Sequence, residues 1–161
     1  MRKTKVYIDT SVINFLFADD SPEFKNITID LFTGYIEKGI FDCYISEVVL
    51  AEINKTANVA KLNQLLDVVL KYKFPILQFS EESKRLAGIY INKAVIPLKK
   101  TEDALHIGLA TVNNFDILLS WNFKHLANIY KRNKIKIINE MEGYNYPLDL
   151  VTPLQLMNNE D

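Results

Sequence analysis

The chain has 161 residues, of which 48% are hydrophobic and 24% charged, and its formal net charge is −1. This composition suits one globular domain with a substantial core and excludes an intrinsically disordered chain. The single cysteine, Cys43, excludes an intramolecular disulfide, and the presence of only two histidines argues against a zinc site rich in Cys or His. The near-neutral charge also argues against a protein that binds nucleic acid through its whole surface.

The lengths of the apolar runs indicate whether the chain is secreted or inserted into a membrane. The first apolar run spans only Val6–Ile8 before Asp9 interrupts it, which is too short for a signal peptide. No run of 18 apolar residues occurs, so we expect no membrane span. We therefore expect a soluble protein of a reducing compartment, the cytoplasm.

Apolar periodicity, capping residues and helix stops predict strands and helices that alternate along the chain. Five strands are predicted, at Lys3–Ile8, Phe41–Ile45, Pro75–Phe79, Asp116–Leu119 and Lys134–Ile138. Helices are predicted at Ser11–Ala18, Ser21–Gly39, Val59–Tyr72, Ser80–Lys93, Thr101–Asn113 and Asn122–Asn128, with another after Ser46 and a short turn at Pro153. This order predicts an α/β fold, a three-layer α/β/α sandwich with a mainly parallel five-stranded sheet, in a single domain over residues 1–161.

The first strand ends in a group of polar residues. Val6, Tyr7 and Ile8 form a continuous apolar run, typical of a strand buried on both faces, and Asp9 follows at its carboxyl end. Ligands of open α/β sheets bind at that edge. Asp9 also has the chemistry of a helix cap, and this residue alone does not decide between the two roles.

Three more polar residues occupy similar places. Glu52 lies on the helix after the second strand, Asp103 begins a helix that is apolar on nearly every face, and Asn122 follows the fourth strand. In a parallel sheet these positions share one edge, and Asp9 would face Asn122 if the first and fourth strands are neighbours. Each residue alone has a structural explanation as a cap, a helix-start acid or an exposed helix position.

Carboxylates gathered at one edge repel one another, and each is pushed towards its neutral form. A divalent cation removes that difficulty, and oxygen ligands suit Mg²⁺ or Mn²⁺. Such an ion activates water and stabilises charge at a phosphate. The pattern therefore indicates metal-assisted phosphoryl chemistry.

These residues resemble the motifs of PIN-domain ribonucleases, and nearly the whole chain looks like the toxin of a VapC-type toxin–antitoxin pair. The resemblance depends on short segments in a fairly specific order: the strand into Asp9-Thr10-Ser11, Glu52 within Ser46–Ile53, Asp103 within Thr101–Ile107, and Asn122 within Ile117–Leu126. It implies a PIN-like α/β/α domain that hydrolyses RNA with Mg²⁺ or Mn²⁺.

The resemblance also implies roles and partners. Asp9, Glu52 and Asp103 would hold the metal, and Ser11 would hydrogen-bond the first acid or a metal-bound water. Many relatives carry a further aspartate where this chain has Asn122. The resemblance therefore does not decide whether the site holds one metal ion or two, or whether the protein has full activity. Proteins of this type are commonly homodimers and bind a small antitoxin.

The neutral Asn122 leaves a non-catalytic PIN-like RNA-binding or interaction domain as an alternative. A third alternative is a structural module in which the acids are only caps. A haloacid dehalogenase-like site is set aside, because Ser11 stands where that family has a second aspartate.

Other residues favour structural interpretations. His106 and Trp121 are expected in or beside the core, and His125 at a helix end. The alternative roles are phosphate contact or proton donation for His125 and stacking on a base for Trp121. Lys99 and Lys100 could steer RNA but are typical of a solvated loop. The stretch between Asp116 and Glu140 has no carboxylate and five positive charges, which suit either phosphate contact or ordinary solvation: Lys124, Lys131, Arg132, Lys134 and Lys136.

Overall fold

The computed structural model describes residues 2–122 and 128–158. In these residues the strands follow one another in chain order as β1 (Thr4–Ile8), β2 (Phe41–Ser46), β3 (Ile76–Leu77), β4 (Ile117–Leu119) and β5 (Asp149–Val151). The α-helices between and after them are α1 (Thr10–Phe15), α2 (Pro22–Leu31), α3 (Glu47–Asn54), α4 (Val59–Tyr72), α5 (Glu81–Asn92), α6 (Thr101–Val112), α7 (Ile129–Met141) and α8 (Pro153–Asn158). A π-helical segment, Phe32–Ile36, continues α2, and a 3₁₀ turn, Leu98–Lys100, leads into α6.

All five strands pair in parallel, in the order β3-β2-β1-β4-β5. The predicted α/β/α sandwich is therefore confirmed. Strands β1 and β4 are neighbours, which is the condition under which Asp9 was expected to face Asn122. Strand order reverses at β1, because the chain first adds β2 and β3 on one side of it and later β4 and β5 on the other. That reversal opens a crevice at the carboxyl edge of the sheet.

Two hydrophobic clusters cover the two faces of the sheet. Tyr7 packs with the buried residues of α5, α6 and α7, whereas Val6 and Ile8 pack with those of α1 to α4 and α8. All three side chains have no exposed surface. Because successive residues of a strand point to opposite faces, β1 contributes to both halves of the core and ends at the crevice.

The predicted fifth strand at Lys134–Ile138 is wrong. That segment lies inside α7, which begins after Asn128, whose side chain accepts hydrogen bonds from the N–H groups of Tyr130 and Lys131. Ile135 and Ile138 are buried while Ile137 is 56% exposed, so the apolar positions follow a helical period and not the alternation of a strand. The fifth strand of the sheet is β5 instead.

The remaining differences are small. The helix predicted at Ser11–Ala18 is the shorter α1, and the third strand is reduced to the two residues of β3. The short helix predicted after β4, with Lys124 and His125, falls mostly in residues 123–127, which lie outside the described residues. None of the helices within the described ranges combines the length and apolarity that crossing a bilayer requires.

Helix α6 packs unusually close to α5. A Cβ placed on Gly108 of α6 would lie 2.6 Å from the carbonyl oxygen of Ser83 in α5. Real Cβ atoms do not approach backbone oxygen so closely, so one helix must move to admit a larger residue. The absence of a side chain at Gly108 thus sets the depth at which α6 lies against its neighbour.

We predict that Gly108→Ala lowers the free energy of unfolding by about 1–3 kcal/mol, because overpacking forces the helices apart. The matched control is Gly88→Ala on α5, where an added Cβ meets nothing within 4 Å. That control should raise stability by about 0.5–1 kcal/mol through helix propensity alone. Urea denaturation of both variants measures the difference, and equal effects of the two changes would contradict the packing explanation.

Candidate active site

All five predicted site residues line one open cavity of about 390 Å³ at the carboxyl edge of the sheet: Asp9, Ser11, Glu52, Asp103 and Asn122. The cavity is bounded by residues of α1, α3 and α6 and of the segment after β4. Its lining residues are Asp9, Thr10, Ser11, Asn14, Glu52, Lys55, Lys100, Glu102, Asp103, His106 and Asn122. The sequence-predicted residues therefore meet at the edge where strand order reverses.

Asp9 is both a helix cap and a wall of this cavity. Its Oδ1 accepts hydrogen bonds from the Ser11 backbone N–H at 3.0 Å and from the Ser11 hydroxyl at 2.5 Å. The Ser11 hydroxyl oxygen in turn accepts from the backbone N–H of Trp121 at 2.9 Å. Ser11 thus ties the end of β1 to the segment after β4, and the two interpretations of Asp9 are compatible.

Asp103 and Asn122 contact each other across the cavity. Asn122 Nδ2 donates to Asp103 Oδ2 at 3.1 Å, and the Asn122 backbone N–H donates to the Ser120 hydroxyl at 2.9 Å. An amide can donate to a carboxylate in this way, whereas a fourth acid could not without a proton. The neutral residue therefore relieves some of the repulsion at this point.

Glu52 is held by two donors. Thr10 Oγ1 donates to Glu52 Oε1 at 2.8 Å, and His106 Nε2 lies 2.6 Å from the same oxygen. His106 is buried, as its sequence context predicted, but it also lines the cavity and contacts an acid of the site. Sequence reasoning missed this contact and gave Thr10 no role. The spacing contained a signal, since Asp103 and His106 are three residues apart and share a face of α6.

Burial and mutual repulsion disturb the ionisation of the acids. Burial raises the pKa of Asp9, against the charge of His106 and the hydrogen bonds from Ser11 and Ser120. The pKa of Asp103 is raised to about 6, mainly by burial and further by the charges of Asp9 and Glu52. These shifts have the direction expected of carboxylates that share one partly desolvated site.

At Glu52 and His106 the charged forms are favoured instead, because the pKa of Glu52 is lowered and that of His106 is raised. Burial alone would raise the pKa of Glu52, but the hydrogen bond and charge of His106, together with the hydrogen bond from Thr10, outweigh it and lower that pKa. Burial alone would lower the pKa of His106, but the hydrogen bond to Glu52 and the charges of all three acids raise it. The imidazole therefore compensates part of the negative charge.

The donor chemistry of the cavity fits a hard divalent cation. Three carboxylates supply oxygen, and no hydrogen bond from the described residues reaches Glu52 Oε2 or Asp103 Oδ1. In the described part of the chain, no three Asp, Glu, His or Cys side chains are already arranged closely enough to enclose an ion. Ligation by all three acids would therefore require their side chains to rotate.

The structure also places Trp121, Lys99 and Lys100, three of the other candidates from the sequence. The Trp121 side chain is buried, and its Nε1 donates to Thr28 Oγ1 at 2.8 Å, so the predicted core position is confirmed. Lys100 lines the cavity but Lys99 does not. Lys55, which sequence reasoning did not single out, also lines it and pairs with Glu102 at 3.1 Å.

We predict that Asp103→Asn stabilises the protein in the presence of a chelator at pH 7.5. The pKa of Asp103 is raised from 3.8 to about 6 in the native state. Protonated Asp103 therefore contributes its full stabilisation below pH 4, and this contribution is lost as the pH rises through 6. The amide keeps an oxygen for Asn122 and removes the buried charge. The gain should be roughly 1–2 kcal/mol after solvent screening, and a lower melting temperature of the variant would contradict it.

Asp116→Asn, at the amino edge of the sheet, is a control variant whose change in stability should have the opposite sign to that of Asp103→Asn. Against the effect of burial, hydrogen bonds from Arg2, Tyr146 and the Lys5 backbone lower the pKa of Asp116 to about 2. The ionised Asp116 carboxylate therefore stabilises the native state above pH 4, and this stabilisation is lost as the pH falls towards 2. This variant should be less stable than the wild type at pH 7.5, measured in the same thermal scans.

Comparison with known proteins is consistent with this architecture. The structure resembles a chain in a crystal structure of VapBC2 from Rickettsia felis bound to a DNA fragment from their promoter, with a TM-score of 0.56. The sequence identity is 17%, over 92% of this chain and 98% of that one, and this likeness concerns the fold. A search of curated proteins finds no sequence with a significant match.

The match to a family model depends on the sequence itself and not only on the fold. A family model described as the PIN domain matches residues 6–131, a range that includes Asp9, Glu52, Asp103 and Asn122. The match spans well over half of the chain and ends within α7. The protein therefore belongs to the PIN domain family.

Proposed function

We propose that the protein is a metal-dependent endoribonuclease that hydrolyses RNA phosphodiester bonds. The observation that carries this proposal is the meeting of Asp9, Glu52, Asp103 and Asn122 around one open cavity. PIN domains are generally nucleases, which agrees with such a site. Because the cavity is open to solvent, a phosphodiester within a long RNA strand can reach it.

Asp9, Glu52 and Asp103 are the residues that would hold Mg²⁺ or Mn²⁺, because carboxylate oxygen is the ligand these ions prefer. When bound, such an ion supplies an activated water and stabilises negative charge at the phosphate. The acids would then ionise more readily, since the cation replaces their repulsion with attraction.

The surrounding residues orient these groups. Ser11 holds Asp9 through its hydroxyl and its backbone N–H, and Asn122 holds Asp103 through its amide. Lys55 and Lys100 at the wall of the cavity supply positive charge that can meet phosphate oxygen. Four cations of the basic segment do not line the cavity, and their contact with RNA stays a prediction: Lys131, Arg132, Lys134 and Lys136.

We further propose that the protein acts as a VapC-type toxin in the cytoplasm, as a homodimer neutralised by a small antitoxin. The support is the similarity in fold to VapBC2 of Rickettsia felis together with the family match. Co-expression with the product of a neighbouring reading frame would test the antitoxin: growth arrest without it and recovery with it are expected.

The alternative is a non-catalytic PIN-like domain that binds RNA or another partner. The observation in its favour is Asn122, which presents an amide to Asp103 where many relatives have an acid. RNA retained in the presence of chelator, with no cleavage in Mg²⁺ or Mn²⁺, would favour it.

We predict that Asp9→Asn and Asp103→Asn each reduce RNA cleavage roughly 10²–10³-fold, the effect expected when several kcal/mol of transition-state stabilisation are lost. The measurement is single-turnover cleavage of a labelled RNA with Mg²⁺ or Mn²⁺. Asp116→Asn is the matched control, because it removes a carboxylate from the opposite edge of the sheet. It should retain wild-type cleavage at temperatures where it is folded, and equal cleavage by Asp9→Asn and wild type would contradict the proposal.

We predict that Asn122→Asp makes the protein depend more strongly on metal. A second acid beside Asp103 replaces a donated hydrogen bond with repulsion, so the chelated variant should melt below the wild type by a few degrees, corresponding to roughly 1–2 kcal/mol. Addition of Mn²⁺ should raise its melting temperature by more than that of the wild type. A variant whose response to Mn²⁺ equals that of the wild type would place residue 122 outside the ion's reach.

A further inference from the structure

A chain of buried hydrogen bonds runs behind the acidic cavity. His106 Nε2 contacts Glu52 Oε1 at 2.6 Å, and His106 Nδ1 contacts the Tyr7 hydroxyl at 2.6 Å. The Tyr7 hydroxyl also contacts the Ser46 hydroxyl at 2.6 Å, and Ser46 Oγ accepts from the backbone N–H of Val48 at 3.1 Å. Tyr7 and Ser46 are completely buried and His106 is 1% exposed, so water does not compete for these contacts.

Each hydrogen bond of this buried series can be given one donor and one acceptor. With a neutral ring, His106 donates from Nε2 to Glu52, Tyr7 donates to Nδ1, and Ser46 donates to Tyr7. With a cationic ring, Nδ1 donates to Tyr7, whose hydroxyl turns to Ser46. In either state the imidazole donates to Glu52, so its action on that carboxylate does not depend on its titration.

The chain also links the elements that carry the three acids. Tyr7 lies two residues before Asp9 on β1, and His106 lies three residues after Asp103 on α6. Ser46 caps α3, the helix that carries Glu52. One continuous set of hydrogen bonds therefore joins β1, α3 and α6 directly behind the cavity.

We propose that Tyr7 and His106 are positioning residues of the cation site, which hold Glu52 by Oε1 and fix the relative placement of β1, α3 and α6. Thr10 completes the arrangement by donating to the same oxygen. The two donors both contact Oε1 and leave Oε2 for an ion. This inference rests on the proposed metal-dependent function and extends it to groups that touch neither ion nor substrate.

Ordinary core packing gives a competing account of Tyr7. A buried hydroxyl lost from any tyrosine costs about 1–2 kcal/mol of folding stability. Tyr90 offers a matched comparison, because it is equally buried in the same hydrophobic cluster and its hydroxyl donates to Asn139, away from the acids. Stability alone would not separate the two tyrosines, whereas metal affinity does.

The first experiment compares Tyr7→Phe with Tyr90→Phe. Both variants should lose similar stability in urea, but only Tyr7→Phe should weaken Mn²⁺ binding, by about 3–10-fold, because outer hydrogen-bond partners tune the ligands of a metal. The readout is the dissociation constant of Mn²⁺ from electron paramagnetic resonance of the free ion, with no RNA present. Equal Mn²⁺ affinity in both variants would contradict the proposal.

The second experiment changes the donor itself. His106→Leu removes the hydrogen bond to Glu52 at similar side-chain volume and should weaken Mn²⁺ binding about 10–100-fold. His106→Gln places an amide N–H near the position of Nε2 and should restore affinity to within about fivefold of the wild type. A merely structural histidine would give no such rescue, so loss of affinity in both variants to the same extent would overturn the positioning role.

Asp103→Asn distinguishes failure of this inference from failure of the proposed function. If the wild type binds Mn²⁺ and Asp103→Asn does not, but Tyr7→Phe and His106→Leu bind like the wild type, the positioning role alone is wrong. If the wild type itself binds no Mn²⁺, the metal-dependent function is overturned and the inference falls with it. Should His106→Leu fail to fold, the pair of tyrosine variants still decides the question.

Discussion

The constraint on which the site depends is the concentration of negative charge, from Asp9, Glu52 and Asp103, in the cavity at the carboxyl edge of the sheet. Burial raises the pKa values of Asp9 and Asp103, and the neighbouring acids raise that of Asp103 further. Keeping these groups ionised near neutral pH therefore costs folding stability. Amides at the same positions would satisfy the local hydrogen bonds at a lower cost, so capping alone does not account for the charges. The cation proposed above would account for them.

The fold brings these groups together through a single central strand. Because β1 pairs with β2 on one side and β4 on the other, its carboxyl end opens into the crevice where strand order reverses. Its side chains divide between the two faces of the sheet, so Val6 and Ile8 anchor one layer of helices and Tyr7 anchors the other. Asp9 thus follows a strand that is fixed by packing on both faces. Such rigidity is what a site needs when several elements must each place one ligand.

Much of this arrangement could be predicted from the sequence, for identifiable reasons. Continuous apolar runs such as Val6–Ile8 and Ile117–Leu119 predicted buried parallel strands, and the polar residues that follow them, Asp9 and Asn122, predicted one polar edge. The segment Lys134–Ile138 was assigned wrongly, because a lysine between two isoleucines imitates the alternation of a strand over a short window. The cap at Asn128 and the burial of Ile135 with Ile138 identify the helix.

The connections behind the site were beyond sequence reasoning for a different reason. Tyr7 and His106 are 99 positions apart, and their contact depends on how deeply α6 lies against the sheet. Apolar neighbours made both residues look like ordinary core. Only the packing of the elements, including the close approach at Gly108, shows that their polar atoms meet. Side-chain partners across such distances follow from tertiary structure and not from local pattern.

The central claim is that Asp9, Glu52 and Asp103 share a divalent ion, and the most direct measurement is a crystal structure of the protein with Mn²⁺. Anomalous scattering at the manganese edge locates the ion independently of any assumption about its ligands. The account predicts a peak within coordination distance of oxygen atoms from all three carboxylates. A fully ordered cavity with no peak, in crystals grown at saturating Mn²⁺, would contradict it, as would three carboxylates directed into separate regions of solvent.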